Sequence, residues 1–329
     1  MPDVIHAQHI PKELWLSAAE RLVSSPGEKE AAKRLVANAQ GHKINLNLLR
    51  GALGTTPNGT PFVRQTCLAV IGSGKTAMLF MSAPKAAPKD TNRFGDDETQ
   101  RLEIAAALRA ALDQLPALAP GQVTLAQTLL EPAHRWASKV CLQAGMIFVG
   151  RLEYLRRELL ASDVQLPVSA WPNDVTVRPI GDVLDFSADG DGTKLAAALD
   201  ASYEDTLDCP ELCGMRSTQN VIESHRAADA FDPNHWYLVE HHHAPVGCCL
   251  LTHTPDHESV ELVYIGLGRS VRGLGLGRNL LTHAIVNLGV HNAKELTCAV
   301  DTRNIPALNV YSEMGFSSFD ARLGYIAQV

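Results

Sequence analysis

Stretches of alternating apolar and polar residues exchange with helical spacing all along this chain. In the second half the alternation predicts strands at Val175–Pro179, Trp236–Glu240, Val246–Thr252, Ser259–Leu267, Leu296–Asp301 and Phe319–Ile326. Helical spacing is expected over Lys194–Ala201, Gln219–Ala230, Gly277–Leu288 and Pro306–Met314. The second and third strands flank a His-rich turn and read as a hairpin. In the first half CLAVI and TAMLFM flank a glycine-rich turn and read as another, and RLEIAAALRAAL from Arg101 reads as a helix. No run of roughly 18 apolar residues breaks this order, so no membrane span is expected.

Two prolines among polar residues at Ser162–Asn173 predict a linker between a first domain, 1–165, and a second, 174–329. Both end on a similar block. LEPAHRWASKVCLQAGM begins at Leu130 and VDTRNIPALNVYSEMGF at Val300, a constant offset of 170 positions. At that offset Glu131 meets Asp301, Ala137 meets Ala307, Val140 meets Val310 and Gly145 meets Gly315. In each block an apolar strand leads into a helix, and a glycine follows that suits a left-handed C-cap. Two copies of one α/β (α+β) fold are predicted, each a mixed, mostly antiparallel sheet flanked by helices.

Composition narrows the function. With 46% hydrophobic and 20% charged residues the 329-residue chain should fold. Its net charge of −7 lacks the basic excess of a nucleic-acid binder and suits a cationic amine. The N-terminus shows no basic region followed by an apolar run, so no leader is expected. Seven cysteines, an odd number, read as reduced thiols of a cytoplasmic protein. No metal is expected. Cys209 and Cys213 lack a second ligand pair, and the consecutive His241, His242 and His243 cannot easily converge on one ion. GSGKT at Gly72–Thr76 has Ala69 where a phosphate-binding loop needs glycine, and a strand follows it.

The chemistry concentrates in VRGLGLGR, Val271–Arg278. It follows an apolar strand and opens a helix. Gly273, Gly275 and Gly277 leave N–H groups uncovered at a helix N-terminus, where Arg272 and Arg278 can add charge, a cradle for phosphate or pyrophosphate. The dinucleotide fingerprint fails, because its third glycine falls on Arg278.

VELVYIGLGRSVRGLGLG resembles the strand and coenzyme A loop of GCN5-related N-acetyltransferases, the GNAT superfamily. Arg272, Gly275 and Gly277 meet the family's Q/R-x-x-G-x-G/A. Asn304, Ala307, Tyr311, Gly315 and Phe316 meet its N-x-x-A-x-x-x-Y-x-x-x-G-F. Arg269 stands where many members carry proline. The resemblance implies acetyl-CoA as cosubstrate, its pyrophosphate on the N–H groups of Leu274, Gly275, Leu276, Gly277 and Arg278. Its pantetheine arm would lie along Ile265, Gly266 and Leu267, with Asn304 nearby. Tyr311 would protonate the departing thiolate and Glu261 would accept the amine's proton. Asn304 also suits helix capping, and Tyr311 a core aromatic. The implied activity is direct acyl transfer in a ternary complex to a primary amine, carried by a small molecule or a peptide. The alternative is a non-catalytic CoA-sensing or partner-binding protein. The first half, with Cys141 and His134 at the positions of Tyr311 and Asn304, reads as a degenerate copy. A monomer or homodimer is expected.

Overall fold

The computed structural model describes residues 6–23, 28–85, 96–181, 184–227, 231–254, 258–288 and 293–329. The extreme N-terminus (1–5), part of the segment before Asp96 (92–95) and the expected end of one helix (228–230) fall outside these. Among the described residues no helix is long and apolar enough to cross a membrane.

The chain forms two compact units. The first comprises Met1–Phe148 with Leu323–Val329. Its elements are β1 (Gln8–His9), α1 (Trp15–Leu22), α2 (Glu28–Asn38), β2 (Arg50–Thr55), β3 (Pro61–Gly72), β4 (Thr76–Met81), α3 (Asp97–Leu118), β5 (Leu125–Leu130) and α4 (Arg135–Gln143). Ile104, Leu108 and Leu115 of α3 pack with Leu79 and Ala126 of the sheet. The carboxylate of Asp96 caps α3 by accepting from the Thr99 N–H at 2.7 Å. That helix N-terminus therefore carries its own anions, Asp97 and Glu98 included. GSGKT is the expected hairpin turn, with Gly72 opposite Thr76 and left-handed Gly74 and Lys75.

The second unit is Val149–Arg322. It holds most of β6 (Ile147–Glu158), then β7 (Val175–Pro179), α5 (Asp191–Tyr203), α6 (Thr218–Ala227), β8 (Trp236–His241), β9 (Ala244–His253), β10 (Ser259–Leu267), α7 (Leu276–Leu288), β11 (Glu295–Asp301), α8 (Ile305–Glu313) and the start of β12 (Ser317–Gln328). The strands run β6-β11-β10-β9-β8-β7. Only β10 and β11 are parallel among these neighbours. Each face is covered. Leu195, Leu199 and Ile222 of α5 and α6 pack on Trp236, Leu238, Cys248 and Leu250. Leu280, Leu281 and Ile285 of α7 and Tyr311 of α8 pack on Val239, Cys249, Leu251 and Leu262. The adjacent Cys248 and Cys249 thus enter opposite cores, as strand alternation requires.

The repeat survives in three dimensions. α4 and α8 begin 170 positions apart, at Arg135 and Ile305, and β6 and β12 likewise, at Ile147 and Ser317. The closing strands are exchanged. β6, from the first copy, pairs with β11 from Glu158↔Glu295 to Leu152↔Asp301. β12, from the second, pairs with β5 from Leu323↔Leu130 to Gln328↔Leu125.

Residues 162–173 are not a free connector but part of the second unit. Arg157 grips the Asp163 carboxylate with two N–H bonds of 2.7 and 2.6 Å. Asn279 on α7 exchanges two hydrogen bonds with the Ser169 backbone. The Trp171 ring meets His283 edge-on at 5.9 Å. Proline and polar residues signalled a loop correctly; its tethers come from residues distant in sequence.

Candidate active site

β10 and β11 share a ladder only from Ser259↔Glu295 to Leu262↔Cys298. Past that point β10 keeps β9 on one side, while β11 runs on to Asp301 against β6. The sheet opens between them. Val263 is an extra residue at this point, since Leu262 lies opposite Leu251 and Tyr264 opposite Leu250. A bulge of this kind twists the strand and re-aims its side chains. Leu262, Ile265 and Leu267 all pack toward α7 and α8, whereas Tyr264 turns toward α5. The Tyr264 and Ser202 hydroxyls are 2.6 Å apart. Gly266 leaves room for this ring: a Cβ there would fall 2.5 Å from the Tyr264 oxygen, so a side chain would displace the tyrosine.

The glycine-rich turn stands at the open end. Gly273 and Gly275 are left-handed, with φ of 78° and 75°, the region that favours glycine. No atom lies within 4 Å of a Cβ built at either. The turn is therefore uncovered and leads into α7, whose first N–H groups have no helical carbonyl to bond. This geometry suits an anion. Leu274 is exposed and Leu276 buried, and Gly277 approaches the Leu267 side chain.

The two arginines divide the work differently from the sequence expectation. Arg272 turns inward, donating to the carbonyls of Leu267 at 2.8 Å, Ser202 at 2.8 Å and Asp205 at 3.3 Å. It braces the end of β10 against the loop after α5. Arg278 is exposed and pairs with Glu313 on α8 at 2.9 Å.

Tyr311 reaches the same region from α8. It is buried, and its ring lies 5.3 Å from that of Phe316. Burial holds its phenol well above the usual range, and the charge of Asp208 adds to the effect. It keeps its proton throughout the neutral range. Asn304 caps α8 by accepting from the Ala307 N–H at 3.3 Å. Its side chain also bonds Asp208. Glu261 is exposed on the paired part of β10, between Thr252 and Thr297. Its charge acts on Tyr154 and Cys298.

Sequence reading missed Asp208. It sits in the loop after α5, where the backbone of Cys209 is left-handed at φ 45°. Asp208 accepts from the Asp301 N–H at 3.0 Å, and the Asp301 carboxylate accepts from the Cys209 N–H at 3.2 Å. A carboxylate oxygen of Asp208, one of Asp301 and the Cys209 Sγ lie within 4.8 Å of one another. The balancing cation is Arg303, which donates to Asp301 at 2.6 Å and to Glu211 at 2.7 Å. Burial pushes the fully enclosed Asp301 carboxyl up, but the Arg303 bonds outweigh this and leave it below the usual range. Burial pushes Asp208 above that range, aided by the charge of Asp301. An Asp ending β11 was visible in the sequence; its partner on a distant loop was not.

Residues 199–316 match the acetyltransferase (GNAT) family. That span includes Asp208, Glu261, the glycine-rich turn, Asn304 and Tyr311. The chain is 28% identical over 200 residues to a mycothiol acetyltransferase of Arthrobacter sp. (strain FB24), covering 58% of this chain and 57% of that one. It is 27% identical over 181 residues to a mycothiol acetyltransferase of Streptomyces griseus, covering 55% of each. The alignments thus span a little over half the length of these relatives. A GCN5-related N-acetyltransferase from Sphaerobacter thermophilus has a similar fold, with a TM-score of 0.54 at 17% identity over 100% of this chain and 96% of that one.

Proposed function

We propose that the GNAT domain in the second half of this chain transfers an acyl group from acyl-CoA, in the first instance acetyl-CoA, to a primary amine. The observation that carries this reading is the opening between β10 and β11, with an uncovered left-handed glycine turn at one end and a protonated buried tyrosine beside it. The N–H groups of Leu274–Arg278 would hold the pyrophosphate. The unpaired edge at Ile265–Leu267 offers backbone groups to the pantetheine amides, and one N–H there would polarise the thioester carbonyl.

The reaction needs little else. The free amine attacks the carbonyl carbon, the C–S bond breaks, and CoA leaves as thiolate. Tyr311 donates a proton to that sulfur. A thiol of pKa about 8.5 is a fair leaving group, so this help is useful but not obligatory. Glu261 drains the amine's proton to solvent through water. The first half has acidic residues in place of a glycine-rich sequence at the start of α3 and Cys141 at the position of Tyr311, and reads as a degenerate copy. The relatives are named mycothiol acetyltransferases; for this chain the proposal stops at a primary amine.

Titrating acetyl-CoA calorimetrically into the protein and into a Gly275→Glu variant tests this. Binding near one site per chain, lost in the variant while its melting temperature holds, places the cofactor on the turn. Release of CoA thiol with members of an amine panel then establishes transfer. Failure of the unaltered protein to bind acetyl-CoA removes the reading; binding without turnover favours the sensing alternative.

A further inference from the structure

Resting on that reading, we propose that Asp208 is the group that takes the proton from the attacking amine inside the opening of the sheet. Three observations point to it. First, Asp208 is tied to the strand end at which the sheet opens, accepting from the Asp301 N–H of β11. Its charge acts on Tyr311 from α8, on Tyr264 from β10 and on Cys298 from β11. Those three side chains flank the point at which β10 and β11 part. The bonds of Asp208 to the Asp301 N–H at the end of β11 and to Asn304 at the start of α8 tie the carboxylate to the two elements that border this opening.

Second, its position is fixed. Thr206 Oγ1 accepts from the Asp208 N–H at 3.1 Å, the Asp301 N–H donates to Oδ1 at 3.0 Å, and Asn304 bonds the side chain. The left-handed Cys209 beside it is a backbone conformation that costs energy unless its surroundings hold it. A carboxylate has about four lone-pair sites, so these bonds leave room for an amine.

Third, the two neighbouring carboxylates are set apart chemically. Asp301 is matched by Arg303 and held in its ionised form. Among the described residues no cation is hydrogen-bonded to Asp208; burial, with the Asp301 charge, outweighs the Asp301 N–H, the Asn304 bond and the more distant Arg303 charge and favours its taking a proton. Environments that push paired acids apart in this way separate a base from a permanent anion. The titratable or charged groups facing Asp208 are Asp301, Arg303, Cys209, Tyr311, Tyr264 and Cys298. Among the described residues Arg303 is the cation of this set, and it is engaged with Asp301 and Glu211.

The step balances without further reagents. The amine nitrogen forms the C–N bond, the C–S bond breaks, the nitrogen's proton passes to Asp208, and the sulfur receives one from Tyr311. The proton on Asp208 then reaches solvent by way of the water that serves Glu261, and Tyr311 is reprotonated in turn.

Steady-state rates across pH test the assignment, using the full chain, acetyl-CoA and the best amine of a panel. Asp208→Asn keeps an acceptor for the Asp301 N–H while losing the base. The expected result is a fall in kcat of about 100-fold, unchanged acetyl-CoA affinity by calorimetry, and loss of the acidic limb of the profile. Asp208→Glu, which restores a carboxylate, should regain part of the rate and the limb, and it serves in place of the asparagine variant if that one does not fold. Glu261→Gln should lower the rate yet keep the limb, whose midpoint lies above the usual carboxylate range. An acidic limb surviving in Asp208→Asn, or lost in Glu261→Gln instead, overturns the proposal. So does a protein that binds acetyl-CoA and acylates no amine. A protein that binds no acetyl-CoA overturns the underlying reading as well.

Discussion

Replacing Tyr311 by phenylalanine removes one hydroxyl and little else. The ring stays in the core beside Phe316, so packing is retained and no cavity forms. Melting should therefore shift by only a few degrees, since about 1 kcal/mol moves a domain of this size by roughly 2–4 °C. The chemical effect should be larger. A positioned acid contributes about 10²–10⁴-fold in general, but a thiolate is a leaving group that needs modest help. The expected loss in kcat is thus at the low end, about 10–100-fold, or roughly 1.4–2.7 kcal/mol of barrier. Affinity for acetyl-CoA should change less than about twofold, because the pyrophosphate turn and the strand edge are untouched. The assay is CoA-thiol release under saturating amine, with calorimetry for binding. Unaltered kcat would show that Tyr311 is a core aromatic only. Joint collapse of binding and melting temperature would show a purely structural role.

Other consequences follow from the same geometry. Asp163 is held below the usual carboxylate range, first by the Arg157 hydrogen bonds. Its folded-state pKa lies below its unfolded value, so this stabilisation is present above about pH 4 and lost as pH falls through the folded value. Asp163→Asn should cost about 1.5–3 kcal/mol in urea unfolding at pH 7, and the deficit should shrink in strong acid; an equal deficit at pH 7 and pH 2 would refute the linkage. Among the seven cysteines, all free, only Cys213 is exposed. A thiol reagent should modify one residue quickly in the native protein and all seven in urea, with peptide mapping placing the first adduct; rapid modification of Cys298 instead would contradict its burial.

Much of the second unit was legible because it obeys local rules. Alternation marked β8, β9 and β10, and the offset of 170 between Arg135 and Ile305 marked the repeat to the residue. The glycine turn was readable because left-handed backbone has few substitutes at Gly273 and Gly275. Three features were not readable. The bulge at Val263 changes which side of β10 faces which helices, and alternation alone does not announce an inserted residue. Arg272 carries the charge expected of a phosphate contact but is drawn inward by three carbonyls whose positions only the fold creates. Asp208 is separated by more than ninety positions from the Asp301 and Arg303 that define its chemistry. Each is a matter of long-range pairing, which no window of neighbouring residues contains.

The exchange of β6 and β12 bears on how the chain assembles as it leaves the ribosome. β5 must wait for Leu323–Gln328, nearly two hundred residues after its own synthesis, before that edge is covered. Meanwhile it presents open backbone groups of the kind that recruit stray strands. Such delayed, non-local pairing is slow and exposes chains to misassembly. Cutting the gene at the prolines near 170 would not isolate the second unit, because β11 would lose β6. A fragment meant to carry the candidate site alone must begin before Ile147, and the first copy on its own would be left seeking a strand.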